Sequence, residues 1–188
     1  MKLSIAAALL AAFLFPCANA HAQRDDQFAW GIGAGGTITS GLARDSHSNG
    51  PHGLIMFGIG AVDSPFGIRF DGMYSALGDR DNTTTSTDQG EATVFSFTGN
   101  ALFNLYGSNT RIYFVGGIGG FWYNPDGAGT DAVNDFGVNA GLGLWIPRIN
   151  GFVEGRWFNL YRAMPDPVTG LKGKKSARLY PITLGIMF

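Results

Sequence analysis

The sequence is poor in residues that crosslink chains, bind metals or carry charge. It has one cysteine and three histidines among 188 residues, and charged residues make up 14%. With Cys17 alone, no intramolecular disulfide can form, so other forces must stabilise the fold. Cysteine–histidine metal sites need several such residues at fixed spacing, which the sequence does not offer. A net charge of −1 gives no support for nucleic-acid binding, and we expect no nucleic-acid partner.

Long hydrophobic runs are also missing, except at the start of the chain. After residue 22 no segment reaches the roughly 18 consecutive apolar residues that a transmembrane helix needs. Residues 3–15 are apolar but too short to span a bilayer, follow a positive Lys2, and precede small-x-small sites at 18–20 and 20–22. This predicts a secretory signal peptide at 1–22 and one domain at 23–188. A lipoprotein signal at Cys17 is the alternative, against which Pro16 counts.

Glycine and aromatic residues are abundant, and apolar residues recur at every second position. There are 29 glycines, and aromatics make up 13% of the chain. Period-two alternation is typical of strands with two different faces. We predict eight strands, at 27–39, 53–62, 66–77, 92–104, 111–123, 135–145, 151–162 and 178–188. The strand at 111–123 is apolar on both faces, so its orientation stays open.

The connections between these strands alternate in length. Polar segments at 40–52, 78–91, 124–134 and 163–177 are long, whereas the turns at 63–65, 107–109 and 147–150 are short. Bacterial outer-membrane barrels have short periplasmic turns and longer extracellular loops. A lipocalin-like soluble barrel is the alternative, but it should be polar outside and apolar inside. The pattern predicts an all-β fold, an eight-stranded antiparallel up-and-down transmembrane β-barrel with both termini in the periplasm.

The last strand places an apolar row on one face and ends in phenylalanine. The row consists of Tyr180, Ile182, Leu184, Ile186 and Phe188. It resembles the C-terminal signature of bacterial outer-membrane barrels, whose terminal aromatic is read by the barrel assembly machinery. With the signal peptide, the strands and the loop pattern, the mature chain resembles the small outer-membrane β-barrel superfamily typified by OmpX, the membrane part of OmpA and opacity-type proteins. The resemblance implies an integral outer-membrane location, with lipid, lipopolysaccharide and the assembly machinery as partners. We expect a monomer.

Four charged residues stand on the polar faces of two predicted strands. Arg69 and Asp71 belong to one strand, and Glu154 and Arg156 to another. An isolated buried charge is strongly disfavoured, so charges inside a barrel must be paired. We predict a lumenal ion-pair network of these four residues that holds the barrel in register. A proton or ion pathway is the functional alternative.

Aromatic residues near the predicted strand ends match the two interfacial girdles of a membrane barrel. The predicted periplasmic girdle contains Trp30, Phe66, Phe103, Trp145 and Phe188, and the predicted outer girdle contains Tyr74, Trp122, Tyr161 and Tyr180. Glycines at 116, 117, 119 and 120 either relieve crowding beside large side chains or bend the strand locally.

The sequence gives little support for catalysis. His47 and His52 fall in the first predicted loop, and His21 lies beside the signal cleavage sites. Lipid A deacylases of the barrel type carry a His-x-Ser-Asn motif late in the chain; His47-Ser48-Asn49 lacks the spacer and comes early. We therefore expect no enzymatic activity, no catalytic residue, no cofactor and no metal. The acidic loop at 79–91 is a weak calcium candidate that reads better as a solvated surface.

The fourth long loop carries positive charge where lipopolysaccharide phosphates would lie. We predict lipopolysaccharide contact through Lys172, Lys174, Lys175 and Arg178. The alternative is that these residues only keep the loop soluble.

We favour a non-enzymatic surface protein whose loops serve adhesion, defence or envelope integrity. A narrow transporter for small hydrophobic compounds, similar to OmpW-type barrels, is the first alternative, with strand 111–123 lining a lateral route. A lipid A-modifying enzyme is the second.

Overall fold

A computed structural model describes residues 28–41, 43–44, 47–60, 65–79, 91–105, 110–125, 132–161 and 176–188. Eight strands fall within these residues, as the alternation predicts. They are β1 (Phe28–Gly41), β2 (Gly50–Ile59), β3 (Phe66–Leu77), β4 (Ala92–Leu105), β5 (Arg111–Pro125), β6 (Val133–Ile146), β7 (Gly151–Leu160) and β8 (Ala177–Met187). The predicted signal peptide at 1–22 lies outside the described residues.

The strands form one closed antiparallel barrel. Each strand pairs with its neighbours in the chain, and β1 also pairs with β8. Following paired residues once around the sheet leads from Ala29 through Arg69 and Phe158 to Thr39, ten positions further along β1, from 29 to 39. This stagger tilts the strands against the barrel axis, as closure requires. An eight-stranded up-and-down barrel is therefore confirmed.

The two ends of the barrel differ in their connections. At the short-turn end, where Phe28 and Met187 lie, a single 3₁₀ turn, Pro147–Ile149, joins β6 to β7. Asn150 closes this turn with a left-handed φ of 49°, and its amide donates to the Pro147 carbonyl over 3.3 Å. The connections after β1, β3, β5 and β7 lie at the opposite end, which we call the long-loop end.

The seam between β1 and β8 runs from Gly31, which pairs with Met187, to Gly41, which pairs with Ala177. Phe188 extends it, because its amide donates to the Trp30 carbonyl over 2.7 Å and its carbonyl accepts from the Trp30 amide over 3.0 Å. The two rings also stack, with centroids 4.5 Å apart. Sealing both edges leaves no row of unpaired backbone groups, which would be costly in hydrocarbon.

The outward faces of the strands are apolar and the inward faces are mixed. On β3, Phe66, Ile68 and Phe70 are 68%, 54% and 42% exposed, whereas Arg69 and Asp71 are almost fully buried. The same parity holds on β8, where Ile182 and Leu184 point outward and Thr183 points inward. Strand β5, left open by its sequence, turns Tyr113, Val115, Phe121 and Tyr123 inward and Ile112, Phe114, Ile118 and Trp122 outward. A soluble barrel would be polar outside and apolar inside, so the apolar outward faces argue against the lipocalin-like alternative.

The predicted boundaries are wrong at β2. This strand begins at Gly50 rather than at residue 53, and it ends at Ile59 rather than at residue 62. Its first residues look like loop because they include glycine, proline and histidine. His52 nevertheless faces inward and is held by hydroxyl groups of β1 and β8, which brings this segment into the ladder. The first long loop is therefore shorter than predicted.

Trp145 is the one member of the predicted girdles that faces the wrong way. Its side chain is 5% exposed and belongs to the lumen. On β6 the outward row is Phe136, Leu142 and Leu144, so Trp145 has the opposite phase. The other predicted girdle residues lie on the outward face near strand ends.

Among the described residues, no helix is long and apolar enough to cross a membrane.

Candidate functional site

Four charged side chains meet in the lumen and form a closed ring of ion pairs. Arg69 Nε lies 3.0 Å from Asp71 Oδ1, and Arg69 Nη2 lies 2.7 Å from Glu154 Oε2. Arg156 contacts both of the same carboxylates. Each carboxylate thus touches both guanidinium groups, and all four side chains are buried. The structure brings together the four residues named from the sequence, with contacts both along a strand and across the lumen.

Neutral groups complete the hydrogen bonding of this ring. The Tyr113 hydroxyl donates to Glu154 Oε2 over 2.8 Å, and Asn100 Nδ2 donates to Asp71 Oδ2 over 2.8 Å. Arg69 Cζ also lies 5.8 Å from the centre of the Tyr113 ring. Buried ion pairs need such additional partners, because desolvation of two charges otherwise outweighs their attraction. The formal charges of the ring sum to zero, so it presents no unbalanced charge to the lumen.

A second polar cluster surrounds His52. Its Nδ1 lies 3.0 Å from Thr37 Oγ1, and its Nε2 lies 2.8 Å from Thr183 Oγ1. Thr37 Oγ1 is also 3.2 Å from the Ser75 hydroxyl oxygen. All four side chains are at most 5% exposed. The imidazole thus lies between two threonine hydroxyl groups, and the cluster cross-links β1, β2, β3 and β8.

His47 lies in the mouth of the barrel at the long-loop end. Its side chain is fully buried, and its Nε2 contacts the Tyr123 hydroxyl of β5. The Thr39 hydroxyl donates to the His47 carbonyl over 3.1 Å, and His47 forms an isolated bridge with Asp79. The described part of the first loop therefore folds over the lumen. Neither His47 nor His52 reaches the outward wall.

Large side chains fill both ends of the lumen. Phe121 and Phe158 pack edge to face at the long-loop end, with centroids 5.5 Å apart. At the short-turn end, a cavity of about 10 Å³ lies between Arg69, Tyr113 and Trp145, which is room for about one water molecule. Glycines make this packing possible. A Cβ at Gly143 would overlap the Tyr113 ring, and one at Gly185 would overlap Phe152.

The glycines of β5 split between the two interpretations given for them. A Cβ at Gly119 would lie 2.7 Å from Thr98 Cγ2, and one at Gly117 would overlap Asn100 Oδ1. These two inward positions fit the crowding interpretation. At Gly116, on the outward face, the nearest contact would be 3.7 Å away, so crowding does not explain it.

Other predicted residues lie on the outside or beyond the described residues. Arg178 is exposed on the outward face at the start of β8, whereas Lys172, Lys174 and Lys175 lie outside the described residues. The row Tyr180, Ile182, Leu184, Ile186 and Phe188 lies on the outward face at the seam. Asp79 and Glu91 are described at the edges of the second long loop. In the described part of the chain, no group of three or more His, Cys, Asp or Glu side chains is placed to hold a metal ion.

Sequence reasoning missed the neutral members of both clusters. Tyr113 was missed because β5 is apolar on both faces, although a buried tyrosine hydroxyl usually needs a partner. His52 was missed because it stands beside loop-like residues. Nothing about the types of Thr37, Thr183 and Ser75 indicates a cluster. Only their positions on the inward-facing rows of their strands distinguish them.

Known proteins give a consistent fold assignment. No protein-family model matches the sequence, and no curated protein matches it. Among solved structures, neisserial surface protein A aligns with a TM-score of 0.60 and 15% identity, over 86% of this chain and 96% of that one. Ail, the attachment invasion locus protein of Yersinia pestis, aligns with a TM-score of 0.50 and 12% identity, over 86% and 97%. The outer membrane enzyme PagL aligns with a TM-score of 0.50 and 13% identity, over 84% and 98%.

The closed barrel, with its apolar outward wall and its mixed lumen, agrees with these structural neighbours. The chain has the fold of the small eight-stranded outer-membrane β-barrels.

Proposed function

We propose that the protein is a non-enzymatic integral protein of the bacterial outer membrane whose surface loops serve adhesion, defence or envelope integrity. The observation that carries this proposal is the filled lumen. Side chains pack the described interior at both ends, with the ion-pair ring and the His52 cluster between them. A barrel of this kind acts through what lies outside it, namely its wall and its loops.

The outward wall supports membrane insertion. Large apolar side chains are exposed on every strand, including Ile55 and Leu184 at 61% each. In water such a surface would aggregate, whereas in hydrocarbon it is solvated by lipid tails. The short-turn end, together with both chain termini, then faces the periplasm, and the long-loop end faces the exterior. We propose a monomer, since the closed sheet leaves no edge for pairing with a second copy.

Transport by a lateral route has less support. The apolar residues of β5 that suggested this route divide between the lumen and the lipid-facing wall, so they need no transported ligand to explain them. Backbone hydrogen bonds join β5 to both neighbours over most of its length.

Catalysis on lipid A also has less support. PagL shows that this fold can carry an enzyme, so the fold itself does not decide. In this chain, however, the two described histidines are buried, one in the lumen and one in its mouth. A lipid substrate approaching the wall would not reach either ring. Surface roles fit better, and neisserial surface protein A and the attachment invasion locus protein are named for roles of that kind.

Four experiments test the proposal. Outer-membrane fractions should contain a heat-modifiable band, in which the folded barrel migrates differently from the boiled form. Planar bilayers with the purified protein should show no steady conductance, and lipid A mass spectra should not change on expression. Replacing the long loops with short glycine–serine turns should abolish the adhesion, defence or envelope-integrity phenotype of the strain and leave the barrel folded. A new lipid A species or a steady current would overturn the proposal.

A further inference from the structure

Asn139 on β6 takes no part in either of the two polar clusters. Its side chain faces the lumen and is 4% exposed. Within the part of the chain that the structure describes, neither Nδ2 nor Oδ1 of its amide has a hydrogen-bond partner. Burying a polar group without such a partner is costly, so buried amides in native proteins nearly always have one. The Asn139 amide therefore requires a partner other than these protein groups.

The same layer of the lumen contains a second amide with an unused acceptor. Asn100 on β4 and Asn139 on β6 are both register partners of Gly117, which lies between them on β5. Asn100 Nδ2 donates to Asp71 Oδ2 on the β3 side over 2.8 Å. Asn100 Oδ1 has no hydrogen-bond partner among the described residues. A Cβ at Gly117 would lie 2.4 Å from this oxygen, so the oxygen extends over Gly117 on the side of β6.

The space between the two amides suits one water molecule. Neighbouring strands lie about 4.8 Å apart, so Asn100 and Asn139, two strands apart, are separated by about 10 Å at the backbone. Gly117 adds no side chain between them. The two amides stand on either side of Gly117 on the lumenal face, but they do not hydrogen-bond each other. Buried polar groups too far apart for a direct hydrogen bond are commonly bridged by water.

The surroundings select a neutral ligand. Asn139 offers a donor and an acceptor, and Asn100 offers an acceptor, so the ligand must both donate and accept hydrogen bonds. Arg156 is the register partner of Gly141, which stands two residues from Asn139 on the same lumenal row. Its guanidinium disfavours a cation in the site, and the Asp71 carboxylate beside Asn100 disfavours an anion. Water meets all of these conditions.

We propose that Asn100 Oδ1 and the Asn139 amide bind one structural water molecule over Gly117. The water accepts from Asn139 Nδ2, donates one hydrogen to Asn139 Oδ1 and donates the other to Asn100 Oδ1. Three hydrogen bonds are the usual number for a buried water, about one for each unused amide atom of this site. The water joins β6, which provides none of the side chains of the ion-pair ring, to the ring through Asn100 and Asp71. The site follows from lumenal side chains alone and does not rest on the proposed function.

NMR spectroscopy of the folded full-length protein in detergent, with isotope-labelled asparagine, tests the site without any substitution. The Asn139 Nδ2 protons should show a rotating-frame cross-peak to water, with the sign of dipolar contact with a bound water and not that of chemical exchange. The Asn100 Nδ2 protons should show one too. At 4% and 3% exposure, the two side chains are shielded from bulk solvent. Absence of the Asn139 cross-peak from the wild type would overturn the site.

Asn139→Leu and Asn134→Leu form a matched pair on β6. Leucine has the branching of asparagine without the amide, and Asn134 is exposed on the outward face. Asn139→Leu should abolish the water cross-peak at Asn100, because the bridge loses one of its ends. Asn134→Leu should preserve that cross-peak. Its survival in Asn139→Leu would overturn the bridge.

Urea unfolding of the same variants gives a second readout. Replacing an amide that is buried without any partner by an apolar side chain should stabilise a protein, whereas replacing one that binds water leaves Asn100 Oδ1 unsatisfied. Asn139→Leu should therefore not raise the urea midpoint above that of the wild type, and a higher midpoint would overturn the site. A heat-modifiability gel shows which variants fold, and the wild-type cross-peak decides the site if Asn139→Leu does not.

Discussion

Arg69 on β3 reaches across the lumen to Glu154 on β7, with Nη2 2.9 Å from Oε1 and 2.7 Å from Oε2. These two strands are four positions apart in a barrel of eight, so the contact joins opposite walls. A one-residue slip of either strand would turn its charged side chain out onto the apolar outward face. The contact therefore ties the pairing register of β3 to that of β7.

Glu154→Gln should strongly destabilise the barrel. The change leaves two buried guanidinium groups facing one carboxylate, and breaking a buried ion pair from one side costs about 3–5 kcal/mol. Urea unfolding in detergent, followed by tryptophan fluorescence, measures the loss. Glu91→Gln is the control, because Glu91 is exposed beside β4 and should change the stability by less than ~0.5 kcal/mol. Similar losses in the two variants would show that the ring does not stabilise the fold.

Removing both members of the Arg69–Glu154 pair should cost less than the two single losses together. Arg69→Met combined with Glu154→Leu leaves Asp71 and Arg156 to neutralise each other. A double-mutant cycle should therefore give a coupling energy of about 1–3 kcal/mol. Additive losses would mean that the two side chains act independently.

From Ala29 to Gly35 the lumenal face of strand β1 has almost no side chains, since Ala29, Gly31, Gly33 and Gly35 occupy it. A Cβ at Gly33 would lie 2.7 Å from Thr183 Cγ2 and 3.2 Å from Phe152 Cζ. Gly33→Ala should therefore cost about 1–3 kcal/mol through overpacking. At Gly36, on the outward face, nothing lies within 4 Å of a Cβ, so Gly36→Ala is the matched control. Equal melting temperatures for the two variants would refute the crowding.

The inward position of Trp145 has an optical consequence. Variants that keep a single tryptophan, with the others replaced by phenylalanine, can be folded into vesicles of brominated lipid. Trp122, 43% exposed on the wall, should be quenched strongly, and Trp145, 5% exposed, should be quenched weakly. Strong quenching of Trp145 would restore it to the lipid-facing girdle and contradict its lumenal position.

Period-two alternation, together with the turn-forming segments between the runs, was enough to predict that eight strands exist, because on most of them the outward row and the lumenal row differ chemically. It also predicted the four lumenal charges. When the apolar row of a strand forms the outward face, the charged residues of the opposite row must face the interior. The alternation did not give the orientation of β5, because both of its faces are apolar. It also did not give the start of β2 at Gly50, because the polar residues there resemble a loop.

The partners of the lumenal charges could not be predicted from the sequence. Tyr113 contacts Glu154 only because barrel closure makes β5 and β7 face the same interior. Gly143 also leaves room for the Tyr113 side chain, since a Cβ there would overlap it. These contacts join residues far apart in the chain, for which local pattern carries no signal.

The rings of Trp30 and Phe188 form one stacked contact, so substituting either residue removes the same contact. In detergent, Trp30→Ala and Phe188→Ala should lose similar stability, about 0.5–1.5 kcal/mol for a lost aromatic pair beyond its buried area. In cells, Phe188→Ala should lower the amount of folded protein in the outer membrane severalfold more than Trp30→Ala. The reason is that the terminal aromatic would also serve the assembly machinery before the seam closes. Quantitative blotting of outer-membrane fractions, with unheated samples to count only folded barrels, measures the difference. Equal losses in cells would assign Phe188 a role in seam packing alone.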